Sequence, residues 1–153
     1  MAGVAMTTGS GMDSFHILYA DVSMRIETGA GVDTVNIAST SASAYLYVDL
    51  GEGRNYLIVG QDYGLSYVQG TVESRAEGGS NIVYIDDRAT SLASTYTLNG
   101  DIFQRDGSAP IFLADADTIL FWAGQGNGNV LGSAGNTLDV LDLRQAGSES
   151  RSL

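Results

Sequence analysis

The chain has 153 residues, enough for one domain with a substantial core. Its 18 Asp and Glu against 7 Lys and Arg give a formal charge of −11, a balance that repels phosphate backbones and sets nucleic-acid binding aside. Every basic residue is arginine. The absence of cysteine excludes a disulfide scaffold, a cysteine nucleophile and a thiolate metal site. No apolar run reaches the ~18 residues of a membrane-spanning helix.

Taken in order, residues 1–13 lack the positive start of a secretory leader and read as a flexible segment. From residue 14 the chain is a series of short alternating stretches separated by Gly, Asn, Asp and Ser: 23–26, 34–37, 45–50, 56–59, 82–85, 95–98, 111–113, 118–121 and 137–141. Period-two alternation marks half-buried strands. Only 87–94 offers a turn of helix, against a loop as the other reading. Residues 144–153 read as a tail. A β domain over 14–143 is the resulting division of the chain.

Three segments align without gaps: GAGVDTVNI (29–37), GEGRNYLIV (51–59) and EGGSNIVYI (77–85). One column holds Asp33, Asn55 and Asn81, a second Val35, Leu57 and Val83, and a third Ile37, Val59 and Ile85. Looser copies put Asp117 and Asn136 in the first column, with a degenerate one expected near TLNGDIF (97–103). A unit of about 20 residues with two short strands cannot bury its apolar side alone, but copies stacked on one another can. Glycine permits tight corners there, and an inward Asn or Asp satisfies backbone amides of a neighbouring turn. The expected fold is all-β: a short parallel β-solenoid, or β-helix, of about five to six coils. The competing architecture is an antiparallel sandwich, which the turns Asn99-Gly100 and Asp106-Gly107 favour locally.

These blocks resemble the GxGxDTvnV-type repeats of bacterial surface and secreted proteins, many of them expected to form parallel β-helices. They are more distantly similar to hemolysin-type calcium-binding repeats, GGxGxDxUx. The resemblance spans about residues 22–142. It implies an extracellular or cell-surface location, and Ca²⁺ held by Asp side chains and turn carbonyls. Asp33 is the position that matches. Asn55 and Asn81 depart from the calcium pattern, and consecutive nonapeptides are absent.

Among the chemical candidates, Asp115 and Asp117 flank one turn and Asp86-Asp87 are adjacent. Asp33, Asp115 and Asp117 are therefore the metal-ligand candidates, because Ca²⁺ takes six to eight oxygens. The alternative reading of all of them is solvated turn residues. No cofactor is required. No catalytic residue is nominated: GxSxG, HExxH and a helix-linked GxGxxG are absent, and His16 is the single histidine. Alternation puts Tyr45 and Tyr47 opposite Leu46 and Val48. With the aliphatic pair as core, the tyrosines become a carbohydrate-binding candidate, or a surface ladder of β-formers.

The function expected is a non-enzymatic structural or interaction module. Its partners are copies of itself stacked end to end or neighbouring repeat domains, with calcium sensitivity arising where cations screen Asp ladders. The alternative is a β-helix that binds or cleaves polysaccharide. The sequence leaves enzymatic activity open.

Overall fold

The computed structural model describes residues 3–126, 128–134 and 140–145. Asn136 and residues 146–153 lie outside these. The chain is all-β with mainly parallel sheets, and no helix among the described residues is long and apolar enough to cross a membrane.

Five successive passes contribute to two facing sheets. The first pass is β1 (Gly3–Thr7), β2 (Ser10–Gly11) and β3 (Ser14–Ile17). The second is β4 (Ser23–Glu27), β5 (Ala30–Gly31) and β6 (Thr34–Ile37). The third is β7 (Tyr45–Asp49) and the long β8 (Glu52–Val59). The fourth is β9 (Thr71–Arg75) and β10 (Ser80–Asp86), and the fifth carries β11 (Thr95–Gly100), β12 (Ile102–Arg105), β13 (Ile111–Leu113) and β14 (Thr118–Ala123). Then follow β15 (Asn129–Ala134) and β16 (Val140–Gln145). Sheet I runs β1-β4-β7-β9-β13-β12-β11-β15, and sheet II stacks β3, β6, β8, β10, β14 and β16, all parallel.

The register joins the aligned columns. Phe15, Val35, Leu57, Val83 and Ile119 are successive partners, as are Ile17, Ile37, Val59, Ile85 and Phe121. Opposite them, sheet I turns Ile26, Val48 and Leu113 inward, and one core lies between the sheets. The corner column is bonded too. Asp33 Oδ1 accepts the Asp13 N–H at 2.9 Å, Asn55 Oδ1 accepts Asp33 N–H at 3.1 Å, and Asp117 Oδ2 accepts Asn81 N–H at 2.7 Å. Each side chain thus satisfies a backbone donor that the corner would otherwise bury unpaired. On a third side, Ala20, Thr40 and Val68 form isolated parallel bridges.

Two expectations are corrected. Residues 3–11 are not outside the β structure: β1 and β2 pair in register with β4 and β5. The physical reason is in the corner, where TGSGMDSFHI (8–17) carries the same Gly-x-Gly-x-Asp arrangement as TGAGVDTVNI (28–37). TLNGDIF is not another parallel copy either. It is an antiparallel hairpin, β11–β12, with Asn99 opposite Ile102 and Gly100 at φ 60°. That is the position where a tight hairpin turn takes glycine. The hairpin adds two strands to sheet I while β14 and β16 remain neighbours in sheet II. The resulting mismatch is about 10 Å at the strand spacing of a sheet. Tyr96, Phe103 and Phe121 fill it, with ring centroids 4.7 to 6.4 Å apart.

Candidate functional site

The outer face of sheet I holds the tyrosines singled out from the sequence. Leu46 and Val48 are fully buried, so Tyr45 and Tyr47 turn outward. The register sets Arg25, Tyr47 and Glu73 side by side, with Glu27, Asp49 and Arg75 in the next row. The Arg25 guanidinium lies 4.7 Å over the Tyr47 ring centroid and donates to Glu27 at 2.6 Å. The Tyr45 hydroxyl donates to Glu73, which also accepts from Arg75 at 3.1 Å. The Tyr45 bond holds the Glu73 carboxyl below its ordinary range and raises the Tyr45 phenol; the Arg25 bond lowers Glu27. A groove of about 410 Å³ runs here between Val4, Ala5, Met24, Arg25, Tyr45 and Tyr47. Its chemistry is an apolar, aromatic floor with a charged rim. Both glutamates remain ionised near neutrality, whereas a glycosidic general acid needs a raised carboxyl.

The metal-ligand candidates do not meet. Asp33 and Asp117 share the corner column but are three layers apart, about 14 Å at sheet spacing. Asp115 is exposed, at φ 66°. Asp33 is fully buried with Oδ1 committed to Asp13; its Oδ2 has no hydrogen-bond partner. One oxygen does not make the cage of six to eight that Ca²⁺ requires. No group of three acidic, His or Cys side chains able to hold a metal occurs among the described residues. The residues therefore do not fit the calcium site that the resemblance implied.

Two clusters were missed by sequence reasoning. On the outer face of sheet II, Tyr56, Tyr84 and Trp122 form a diagonal row with centroids 6.4 and 5.5 Å apart. Arg54 covers Tyr56 and Arg88 covers Trp122. Tyr84 and Trp122 are stacked within 8°, so ring faces are turned to one another and to guanidinium groups rather than laid flat for a sugar. Each ring sits two residues further along its strand than the register partner of the last, so only the pairing reveals the row. The second cluster is centred on Asp87, which is fully buried rather than solvated. Its Oδ1 accepts from Leu65 N–H and Thr90 Oγ1, at 2.7 and 2.6 Å, and its Oδ2 from Tyr96 OH and Arg105 Nε, at 2.7 and 2.9 Å. This network ties the end of β10 to the hairpin, a structural task.

The remaining feature is the edge of the first pass. β1 pairs only with β4, β2 only with β5 and β3 only with β6, so three strands leave one side unpaired among the described residues. Met12, Leu18 and Tyr19 beside it are 83%, 60% and 62% exposed. No known family, curated protein or solved structure matches the chain. An unpaired parallel edge is a template for another strand, and natural chains cover such edges or use them.

Proposed function

We propose that the chain is a parallel β-solenoid and a non-enzymatic structural or interaction module of an extracellular or cell-surface assembly, joining neighbours by adding β layers end to end. The solenoid reading is supported by the parallel register columns, the glycine corners and the Asp/Asn column. The observation that carries the function is the unpaired three-strand edge of the first pass. A charge of −11 opposes lateral clumping, and salt or divalent cations weaken that repulsion without a dedicated site. Light scattering against protein concentration, with Ca²⁺ and with matched NaCl, tests the reading. The expected result is a mass that grows with concentration and responds to both salts; a constant monomer at high concentration overturns it.

A second reading, polysaccharide binding, is favoured by the groove that brings Tyr45, Tyr47 and Arg25 together. Glycan-array binding that is lost in Tyr45→Ala supports it, and no binding to acidic or neutral glycans counts against it.

A further inference from the structure

The glycine columns distinguish an edge shaped by chance from one shaped for a neighbour. Inside the stack, a Cβ on Gly29, Gly31, Gly51, Gly53 or Gly79 would overlap the carbonyl oxygen of Gly9, Gly11, Gly29, Gly31 or Gly53 respectively, one layer back. Those glycines are required because a backbone lies against them. Gly9 and Gly11 open the same columns, yet a Cβ on either meets nothing within 4 Å. Gly11 has φ 137°, which itself favours glycine, but Gly9 has no left-handed φ. Among the described residues, nothing asks for glycine at position 9.

The polar groups repeat the pattern. Ala30, Val32 and Thr34 donate N–H to the carbonyls of Gly9, Gly11 and Asp13 at 3.1, 3.2 and 2.9 Å. Ser10, Met12 and Ser14 are the equivalent donors of the first pass, and no strand among the described residues pairs on their side. Asp33 and Asn55 each use a side-chain oxygen to accept an N–H from the layer before. Asp13 holds that place in the first pass, and no described group donates to its carboxylate.

We infer that the first-pass edge, through Gly9, Gly11 and Asp13, is a socket for one further parallel layer, and that its occupant is a second copy of this chain entering by its last strands, β15 and β16. This rests on the proposed end-to-end module. β15 and β16 are parallel to β11 and β14 and are themselves unpaired on their outer sides among the described residues. A head-to-tail contact continues both sheets with parallel strands, as every layer inside the molecule does in sheet II. Two first-pass edges facing each other would pair antiparallel and would not. Head-to-tail contacts do not close on themselves, so the product is an open filament.

The test is sedimentation velocity over a concentration series for the wild type, Gly9→Val and Asp13→Ala, with thermal melts alongside. The expected result is association by the wild type and none by Gly9→Val, whose side chain fills the open space over position 9 that a further layer would enter while its melting temperature stays that of the wild type. Asp13→Ala should associate about tenfold more weakly, the loss of one charge-assisted hydrogen bond. If Gly9→Val misfolds, Asp13→Ala decides alone, and unchanged association overturns the socket. Association of the wild type and both variants alike overturns the socket but leaves the module reading standing on another surface. A wild type that stays monomeric overturns both.

Discussion

Asp86 and Asp87 are neighbours in sequence and both are buried, but Asp86 pairs with the exposed Arg88 and Asp87 with the buried Arg105, which makes them a matched pair of perturbations. Asp87→Ala removes a fully buried carboxylate that accepts four hydrogen bonds. It leaves the Arg105 guanidinium, whose side chain is 9% exposed, with its hydrogen bond to the Asp106 carbonyl at 3.1 Å and no counter-charge from Asp87. Stranding a buried charge in this way costs about 3–5 kcal/mol, a large part of a typical domain's stability. For a chain of this size that lowers the melting temperature by on the order of 10 °C. Asp86→Ala removes a buried carboxylate that accepts the Arg88 backbone N–H at 3.0 Å and pairs with its guanidinium at 2.6 Å, but the Arg88 side chain is 55% exposed and stays solvated, so the cost is about 1–2 kcal/mol. Urea titrations of the two variants measure the difference directly. Adding Arg105→Met to Asp87→Ala should recover part of the loss, because the unpaired charge goes with it. If Asp87→Ala costs no more than Asp86→Ala, the assignment of Asp87 as the pin between β10 and the hairpin is wrong.

Other expectations follow from single positions. Gly51→Ala should cost at least about 2 kcal/mol in chemical unfolding, because φ is 61° and its Cβ overlaps the Gly29 carbonyl; a neutral result would contradict the stacking. Asp33→Asn should stabilise by about 1 kcal/mol, since an amide in this column donates onward as Asn55 Nδ2 does to Asn81 Oδ1 at 3.2 Å, whereas Asp33 Oδ2 has no partner. A lower unfolding midpoint for this variant would refute that. Burial, with the Asp87 hydrogen bond, pushes the Tyr96 phenol from 10.0 up to about 12. That stabilisation is complete below the unfolded value and is lost as pH rises through the folded one. Stability should therefore fall by about 2–3 kcal/mol between pH 10 and 12, and Tyr96→Phe should lack this component of the alkaline fall.

What could be read from the sequence was what is local and repeated. Val35, Leu57 and Val83 recur at fixed offsets from glycine corners, so alternation and corner chemistry together identify them as one column. The first pass carries the same signal twenty residues earlier, in Gly9, Gly11 and Asp13, and it was obscured by the small, exposed residues around it. TLNGDIF was ambiguous because Asn-Gly suits a corner between stacked strands as well as a hairpin. Only the pairing of Asn99 with Ile102 decides between them. Asp87 and Arg105 are 18 residues apart, and no local pattern says that an Asp-Asp pair is buried or which distant arginine one of them meets. The Tyr45 and Tyr47 face was legible from alternation alone. The Tyr56, Tyr84 and Trp122 row was not, because a diagonal across three strands exists only once the register is fixed.

Successive passes lie directly over one another in parallel register, and the absence of cysteine makes this measurable with two introduced labels. His16, Asn36, Ile58, Tyr84 and Leu120 are successive register partners in sheet II. The backbones at His16 and Leu120 should therefore be about 19 Å apart, four strand spacings. Pulsed electron–electron resonance on spin-labelled His16→Cys/Leu120→Cys should give one narrow distribution near that value. A distribution centred at more than twice it, or several separate peaks, would contradict the stacked arrangement.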